Sequence, residues 1–417
     1  MQLNAIHTPV VIVGAGPAGA GTSIYLSKAG IPHVILEKET FPRDKVCGDA
    51  ISGKSAFVLR KANPEWLLEV FQQPEKYTPS RGIIFVAPNG KPLRIPYNND
   101  LRPGEKGAGF TSPRLVFDNF LFQKIDNNYA SVFQNATITA IERNEDGIRV
   151  LFTKDGEPFE VLADLIVGAD GDKGIVRRKL LVSNASPKAY TVGLRAYYEG
   201  VTIDPDQYIE LHFLPEVLPG YFWIFPLPNG MANVGVGVLS ERIRDKKINL
   251  REQMLKAIQE NPTISSRFKN ATLKGKIQGW GLPMGMEKLP VSGDRFLLTG
   301  DAASLIDPFS GEGIGNALYS GMLAAGAIEK AMEAKRFDAA FLKEAYDDVL
   351  YNRLGDELRI SAFLQRLCRY PWLFNVIVNK AYRSPSLKDT ISCMFTDIDL
   401  REKLRKPSFY AKILFNR

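Results

Sequence analysis

Four short apolar runs, at residues 10–13, 33–36, 163–169 and 296–299, stand out from the mixed polar sequence around them. Continuous apolar runs of this length are typical of strands that are buried on both faces of a parallel sheet. Between the first two runs, small and apolar residues predict a helix from Pro17 to about Lys28. Strands that alternate with helices indicate an α/β fold built on a parallel sheet.

In residues 187–285, Tyr, Val, Leu and Phe alternate with Pro and Gly, which indicates the strands of a mixed or antiparallel sheet. In a separate segment, residues 76–104, the Asn89-Gly90 pair predicts a hairpin turn. From residue 337 onward, helical spacings dominate. We therefore predict three parts, namely a Rossmann-like domain (1–75, 105–186 and 287–336), an interleaved mixed β-sheet domain that binds the substrate (76–104 and 187–286) and a C-terminal helical region (337–417).

The turn after the first apolar run has the spacing GxGxxG, at Gly14, Gly16 and Gly19. In a dinucleotide site the first glycine permits a tight turn, the second lets a pyrophosphate approach the backbone, and the third allows close helix–strand packing. The helix N-terminus that follows would hold the phosphates. Glu37 ends the second run, 18 residues after Gly19, where an acid binds a ribose hydroxyl. These features together predict a dinucleotide site, although a lone GxGxxG is also compatible with a simple tight loop.

Composition and charge narrow the class of protein. Hydrophobic residues make up 45% of the chain and charged residues 24%, which is ordinary for a globular protein. The sequence contains no apolar run of about 18 residues that would span a bilayer, and its start lacks the pattern of a signal peptide. Three cysteines and three histidines are too few and too scattered for a disulfide framework or a metal site. We therefore expect no bound metal, and we expect the protein to reside in the reducing cytoplasm. The net charge is +7, but no nucleic-acid-binding module is present, and we expect no nucleic acid partner.

Several charged or reactive residues lie in loops near these strands. Arg43, Lys45 and Cys47 give chemical character to the loop after the second run, although they are also compatible with solvated loop charges and a small buried filler. Arg114, in a predicted helix over residues 111–124, would face a pyrophosphate or form a surface ion pair. Asp301 follows the fourth apolar run, where strand ends gather ligands in open α/β sheets, or it caps a turn.

The C-terminal region carries an excess of positive charge. Residues 359–388 contain six Lys or Arg and no acid, interleaved with aromatic and aliphatic residues, and residues 404–417 continue this composition. Such a segment is either a helical cap whose apolar face packs on the body or a surface that contacts anionic lipid.

With the glycine motif and Glu37, five further segments resemble FAD-dependent oxidoreductases of the geranylgeranyl reductase family, within the flavoprotein group that includes p-hydroxybenzoate hydroxylase. The resemblance covers roughly residues 8–335. Gly174 departs from it, because the family usually has Ser there. The five segments are FPRDKVCGD (41–49), TSPRLVFDNFL (111–121), GADGDKGIVR (168–177), YFWIFP (221–226) and GDAASLIDPFSGEGI (300–314).

This resemblance implies bound FAD, with Cys47 near the flavin ring as the catalytic residue. It also implies that Tyr221, Trp223 and Phe225 line the substrate cavity. They alternate along one strand and so share one face, as an ordinary core strand would also arrange them. The implied cofactor-binding residues are Gly14, Gly16, Ala18, Gly19, Glu37, Lys38, Arg43, Lys45, Cys47, Gly48, Arg114, Asp170, Gly171, Gly300, Asp301, Pro308, Gly311, Gly313 and Ile314.

Three functions are compatible with this constellation. The first is reduction of carbon–carbon double bonds in an isoprenoid or prenyl lipid, with electrons from NAD(P)H or a reduced carrier protein. The second is an FAD monooxygenase or halogenase, because Asp307-Pro308-Phe309-Ser310 is similar to the flavin halogenases. Halogenases usually carry WxWxIP, however, from which Tyr221 and Phe225 depart. The third is a flavin-carrying binding or electron-transfer module. For all three we expect a monomer or weak homo-oligomer, with possible peripheral membrane contact through residues 359–417.

Overall fold

The computed structural model describes residues 5–97, 109–181 and 186–384. The strands in these ranges are β1 Ala5–Val13, β2 His33–Leu36, β3 Ala50–Ile51, β4 Thr78–Pro79, β5 Gly82–Val86, β6 Pro92–Pro96, β7 Phe110–Thr111, β8 Ala130–Phe133, β9 Ala136–Arg143, β10 Ile148–Lys154, β11 Glu157–Gly168, β12 Tyr190–Glu199, β13 Ile209–His212, β14 Tyr221–Pro226, β15 Met231–Leu239, β16 Thr272–Pro283, β17 Ser292–Gly293 and β18 Phe296–Leu298. The α-helices are α1 Pro17–Lys28, α2 Gly53–Ala62, α3 Glu65–Phe71, α4 Arg114–Gln123, α5 Ile175–Leu180, α6 Ser240–Lys246, α7 Leu250–Glu260, α8 Ile314–Ala334, α9 Ala339–Leu342, α10 Val349–Leu367 and α11 Pro371–Arg383.

The four apolar runs form neighbouring parallel strands of one sheet, in the order β18-β11-β1-β2. β8 extends the sheet beyond β2, also in parallel, whereas β10 pairs antiparallel with the first part of β11 and with β9. Because these four central strands run in parallel, their carboxyl ends meet at the same edge of the sheet, where ligands bind in open α/β folds. The prediction of an α/β, Rossmann-like sheet is confirmed.

Small residues allow α1 and α8 to pack closely against each other beside this sheet. A Cβ atom added to Gly21 would lie 3.2 Å from the carbonyl oxygen of Leu318, and one added to Gly321 would lie 2.5 Å from that of Ala18. Both helices are buried along most of their length. The glycine turn before α1 and the loop before α8 are therefore held side by side.

A second, seven-stranded sheet has the order β16-β12-β15-β14-β13-β5-β6. It is mixed, because β13 pairs parallel with β5 while the other neighbours are antiparallel. The turn of the β5–β6 hairpin contains Gly90 at φ +80°. Through β5 this hairpin pairs with β13, which begins more than a hundred residues later in the chain.

The C-terminal helices connect the two sheets. Leu354 and Leu358 of α10 belong to the core of the parallel sheet, whereas Phe374 and Val378 of α11 belong to the core of the mixed sheet. None of the helices within the described ranges is long and apolar enough to cross a membrane. Residues 385–417, which include the basic C-terminal tail, lie outside the described residues.

Proline residues define where two helices begin. Pro64 lies between α2 and α3 and is the N-cap of α3. Helix α4 begins at Arg114 with Pro113 as its N-cap, three residues later than the start of the helix predicted over residues 111–124.

Candidate functional site

A cavity of about 940 Å³ runs between the parallel sheet, the mixed sheet and α10. Its lining brings together most of the predicted cofactor residues and all three predicted substrate residues. Three of the predicted cofactor residues, Gly19, Gly300 and Pro308, are absent from the lining and lie behind it. The predicted residues in the lining are Gly14, Gly16, Ala18, Glu37, Lys38, Arg43, Lys45, Cys47, Gly48, Arg114, Asp170, Gly171, Tyr221, Trp223, Phe225, Asp301, Gly311, Gly313 and Ile314.

The glycine turn has the geometry that its spacing predicts. Gly14 has φ +95°, and a Cβ atom there would lie 2.5 Å from the carbonyl oxygen of Ala169 at the end of β11. A Cβ atom on Gly19 would lie 1.8 Å from the carbonyl oxygen of Gly14, which accounts for this residue's place behind the cavity. Gly16 is the N-cap of α1 and provides no side-chain cap. The N–H groups of the first turn are therefore available to a ligand in the cavity.

Glu37 is held beside this turn. One of its carboxylate oxygens accepts a hydrogen bond of 2.7 Å from the Ala15 N–H, and the other accepts one of 2.9 Å from the Glu39 N–H. The side chain is buried although no cation pairs with it in the described structure. A carboxylate fixed at the end of β2 is placed to accept a hydrogen bond from a ribose hydroxyl.

Two further acids lie at the ends of neighbouring strands. Asp301, after β18, forms an ion pair of 3.2 Å with Lys45 of the loop after β2. Asp170, after β11, accepts a hydrogen bond of 3.0 Å from the Val176 N–H, and burial raises its pKa to about 6. A Cβ atom on Gly174 would lie 2.1 Å from the Asp170 carboxylate, so the glycine that replaces the family's usual Ser makes room for this acid.

A buried charge network joins the loop after β2 to α4. Asp118 accepts hydrogen bonds of 2.7 Å from both Arg43 and Arg114. Burial alone would raise the pKa of Asp118, but Arg114 and Arg43 lower it below its usual value. The ion pair that the sequence allowed for Arg114 therefore exists, but it is buried and not at the surface.

The two arginines of this network approach different parts of the site. Arg43 Nη2 lies 3.3 Å from the position of a Cβ atom on Gly16, so Arg43 covers the start of α1. Arg114 faces Cys47. Burial alone would lower the pKa of Arg114, but its interactions with Asp118 and Cys47 hold this pKa well above its usual value. The two cations of the cysteine loop each form an ion pair, Arg43 with Asp118 and Lys45 with Asp301.

Asp49 is a site residue that the sequence analysis missed. It is fully buried beside Cys47 and accepts hydrogen bonds of 2.7 Å from Tyr197 and 2.8 Å from Asn233. Asn233 also donates to the carbonyl oxygen of Cys47 and accepts from Trp223 Nε1, both at 2.8 Å. This Asp49 network ties the cysteine loop to three strands of the mixed sheet. Its only sequence signal is a carboxylate two residues after Cys47.

We expect Asp49→Asn to change how stability depends on pH. Burial raises the pKa of Asp49 from 3.8 to about 6, although Asn233, Tyr197, Arg195 and Arg114 each lower it. The folded state therefore binds this proton more tightly, and the group's contribution to stability is lost as the pH rises from about 4 through about 6. The amide keeps an acceptor for both donors but carries no charge. As the pH rises from about 4 to about 8, the free energy of unfolding of the variant should therefore increase by roughly 1–3 kcal/mol relative to that of wild type. Denaturant unfolding at several pH values measures both free energies. A difference between them that stays constant with pH would contradict the prediction.

The aromatic side chains of β14 form one wall of the cavity. Tyr221 donates a hydrogen bond to the carbonyl oxygen of Ser310, in the loop before α8. The ring of Phe225 lies 3.2 Å from the position of a Cβ atom on Gly48, so this glycine lets the cysteine loop pass close to the wall. The ring centroids of Tyr221 and Phe225 each lie 6.1 Å from that of Trp223. The alternation predicted from the sequence therefore places three aromatic rings on one face.

A second missed cluster lines the cavity where α10 closes it. The Lys54 ammonium forms a buried ion pair of 2.9 Å with Glu357 and a hydrogen bond with Asn316. The Glu312 carboxylate accepts from the Gly315 N–H, and burial raises the pKa of Glu312. Glu312 lies within the 300–314 segment, but no local motif marks Lys54 or Glu357, which are 303 positions apart.

Comparison with known proteins decides the family. The profile of the FAD binding domain family matches residues 7–333 of the chain. The menaquinone reductase of Mycolicibacterium smegmatis is 30% identical over 326 residues, which is 76% of this chain and 75% of that protein. The digeranylgeranylglycerophospholipid reductase of Methanocaldococcus jannaschii is 29% identical over 374 residues, 88% of each chain. The chain belongs to the FAD-dependent geranylgeranyl reductase family.

Solved structures agree with this fold. A geranylgeranyl bacteriochlorophyll reductase-like protein of Thermoplasma acidophilum matches with a TM-score of 0.78 at 22% identity, over 96% of this chain and 99% of that one. A flavin-dependent brominase matches with a TM-score of 0.77 at 20% identity, over 98% of each chain. At such low identity these likenesses concern the fold alone, which reductases and halogenases share.

As a member of this family, the chain is an FAD-dependent oxidoreductase. The residues of the cavity fit the cofactor. The uncapped N-terminus of α1 suits the pyrophosphate, the buried Glu37 suits a ribose, and Asp301 lies at the end of β18 on the path from the glycine turn to the aromatic wall. The assignment of individual residues to parts of FAD remains our prediction.

Proposed function

We propose that the protein reduces carbon–carbon double bonds of an isoprenoid or prenyl lipid. One observation carries the proposal: the cavity continues from the glycine turn, past Cys47, to a wall of aromatic side chains. An apolar compartment of this kind suits a long hydrocarbon chain. The menaquinone and digeranylgeranylglycerophospholipid named for the two relatives both carry isoprenoid chains, which supports the same substrate class.

Reduced FAD supplies a hydride when it is bound, and the protein has to position the alkene and provide a matching proton. Gly313 and Ile314 line the cavity at the N-terminus of α8. The positive end of this helix dipole favours negative charge in the adjacent part of the cavity. The aromatic wall excludes water and orients the chain of the substrate.

Cys47 is our candidate for the residue that donates the proton or orders the water that does. It lies in the cavity lining between Arg114 and the Asp49 network. We expect Cys47→Ala to keep FAD and to slow the oxidation of reduced enzyme by substrate, or to alter its selectivity. Stopped-flow absorbance under anaerobic conditions measures this step. Oxidation at the wild-type rate would leave Cys47 a packing residue.

The alternative function is oxygen activation by a monooxygenase or halogenase. It is favoured by the Asp307-Pro308-Phe309-Ser310 turn, whose sequence is similar to the flavin halogenases. To separate the two, reduced enzyme is mixed with prenyl lipids and with an aromatic panel, first without oxygen and then with it. Anaerobic oxidation by a prenyl alkene supports reduction. Enzyme that stays reduced until oxygen is admitted, and then consumes it only with substrate present, would refute the proposal. A binding or electron-transfer module would turn over neither set.

The remaining partners belong to the same proposal. NAD(P)H or a reduced carrier protein would supply the electrons. The enzyme would act in the cytoplasm as a monomer or weak homo-oligomer. Because isoprenoid lipids reside in membranes, it would contact the bilayer from the surface.

A further inference from the structure

The outer face of α10 and α11 exposes an unusual share of large apolar side chains. Of the eleven large hydrophobic residues that are exposed within the described ranges, five lie between positions 363 and 382. Trp372 is 65% exposed and Tyr382 is 60% exposed. Exposed apolar patches of this kind mark surfaces that contact protein or lipid. The five residues, which we call the outer patch, are Phe363, Tyr370, Trp372, Val376 and Tyr382.

A cluster of positive charge lies beside the outer patch. A shallow groove between the β5–β6 hairpin and α11 is lined by Lys91, Lys380 and Arg383 together with Tyr382 and Asn379. Lys91 Nζ donates to Asn379 Oδ1 at 3.3 Å, which fixes the hairpin turn beside the helix. The described lining of this groove contains three cations and no carboxylate. Its chemistry therefore suits a phosphate group.

The inner face of the same helix packs against the aromatic end of the cavity. Phe374 of α11 is buried, and its ring centroid lies 4.4 Å from that of Phe213. Phe213 in turn lies 6.0 Å from Phe309 and 5.8 Å from Tyr221, both of which line the cavity. Helix α11 and the ring of Phe213 thus lie between the outer patch and the cavity.

We propose that the outer patch docks on an anionic bilayer, that the groove of Lys91, Lys380 and Arg383 binds a lipid phosphate, and that isoprenoid chains reach the cavity past α11. The choice of a bilayer rests on charge complementarity and on residue type. Trp and Tyr beside Lys and Arg are the residues that settle at the interface between headgroups and acyl chains. The described part of this segment, residues 359–384, contains no Asp or Glu in its sequence. The route into the cavity rests on the proposed function, whereas the docking does not.

Vesicle co-sedimentation of the FAD-loaded full chain tests the docking. We expect the protein to pellet with phosphatidylglycerol-containing vesicles at about 0.05 M salt and to be released at about 1 M salt, where the Debye length is about 3 Å. Lys380→Glu combined with Arg383→Glu should lower the partition coefficient at least about tenfold. Trp372→Ser combined with Tyr382→Ser should weaken binding at about 0.05 M salt, although this variant keeps every cation of the groove. The matched control is Leu273→Ser combined with Lys276→Glu, on the exposed surface of β16, which should bind as wild type.

Wild type that fails to pellet, or that binds neutral and anionic vesicles equally, would overturn the proposal. Charge-reversed protein that binds as wild type would do the same. FAD content of each variant reports whether the fold is intact. Sedimentation needs no turnover, so it tests the docking separately from the reaction. Docking without alkene reduction would refute the proposed function alone. Reduction of a dispersed short-chain alkene without docking would refute this inference alone. Pelleting through a contaminating partner protein is tested by repeating the assay with vesicles of pure synthetic lipid, and a loss of binding there also counts against the bilayer.

Discussion

Gly14→Ala is expected to leave the protein without bound FAD. The methyl group would lie 2.5 Å from the Ala169 carbonyl oxygen and 3.2 Å from the Cα atom of Asp170, at the point where β1 and β11 end side by side. Both neighbours are backbone, so relief requires the strand ends to separate. That separation displaces the glycine turn and the start of α1 together. We expect FAD binding to weaken at least about 100-fold, measured by the flavin absorbance that remains after purification and by titration with FAD.

Gly156→Ala is the matched control for this variant. Gly156 also has a positive φ, +87°, but a Cβ atom there would meet nothing within 4 Å. It therefore carries the strain of an L-residue in this conformation, about 1–2 kcal/mol, without the clash. The control should retain FAD with a slightly lower unfolding midpoint. Equal FAD content in the two variants would show that the close approach at Gly14 is not what the cofactor site requires.

Asp118→Ala should cost the most stability of any single substitution of a charged residue at the site. It leaves Arg43 without its ion-pair partner and removes the carboxylate that pairs with the buried guanidinium of Arg114. Removing one member of a buried charge network typically costs about 3–5 kcal/mol, because the remaining charge is left uncompensated. Denaturant unfolding of the FAD-loaded protein measures the loss.

An exposed ion pair provides the comparison for Asp118. Glu142 pairs with Arg149 at 3.0 Å on the surface of the β9–β10 ribbon, and Glu142→Ala should change the free energy of unfolding by about 1 kcal/mol or less. If Asp118→Ala costs no more than this, the network is not a structural element of the site, and Arg114 would be free to act on the cofactor directly.

The sequence predicted those parts of the site whose chemistry is local. Gly14, Gly16 and Glu37 lie within one strand–turn–helix–strand unit, so their spacing alone determines where they meet. Asp301 was predictable for a different reason: it follows an apolar run, and the ends of parallel strands gather at one edge of the sheet. The register of β1, β11 and β18 places all of these residues along the same cavity.

Contacts between distant segments were not predictable in this way. Asn233 meets Asp49 across 184 positions, and Lys54 meets Glu357 across 303. Asp49 ends the FPRDKVCGD segment, but Asn233, Lys54 and Glu357 are ordinary in their local sequence. Only the packing of the mixed sheet and of α10 on the parallel sheet makes these three residues part of the site. The pairing of Lys45 with Asp301 is of the same kind, since both were expected near the cofactor but not in contact with each other.

The mass of the product shows whether reduced enzyme adds hydrogen to a carbon–carbon double bond of a prenyl lipid. It is measured after turnover in D₂O without oxygen and, separately, after turnover in H₂O under ¹⁸O₂. We expect the product of the anaerobic reaction to gain hydrogen isotopes across the double bond, with deuterium at the positions supplied from solvent, and the product of the second reaction to contain no ¹⁸O. A product that forms only with oxygen and carries ¹⁸O or a halogen would contradict this expectation.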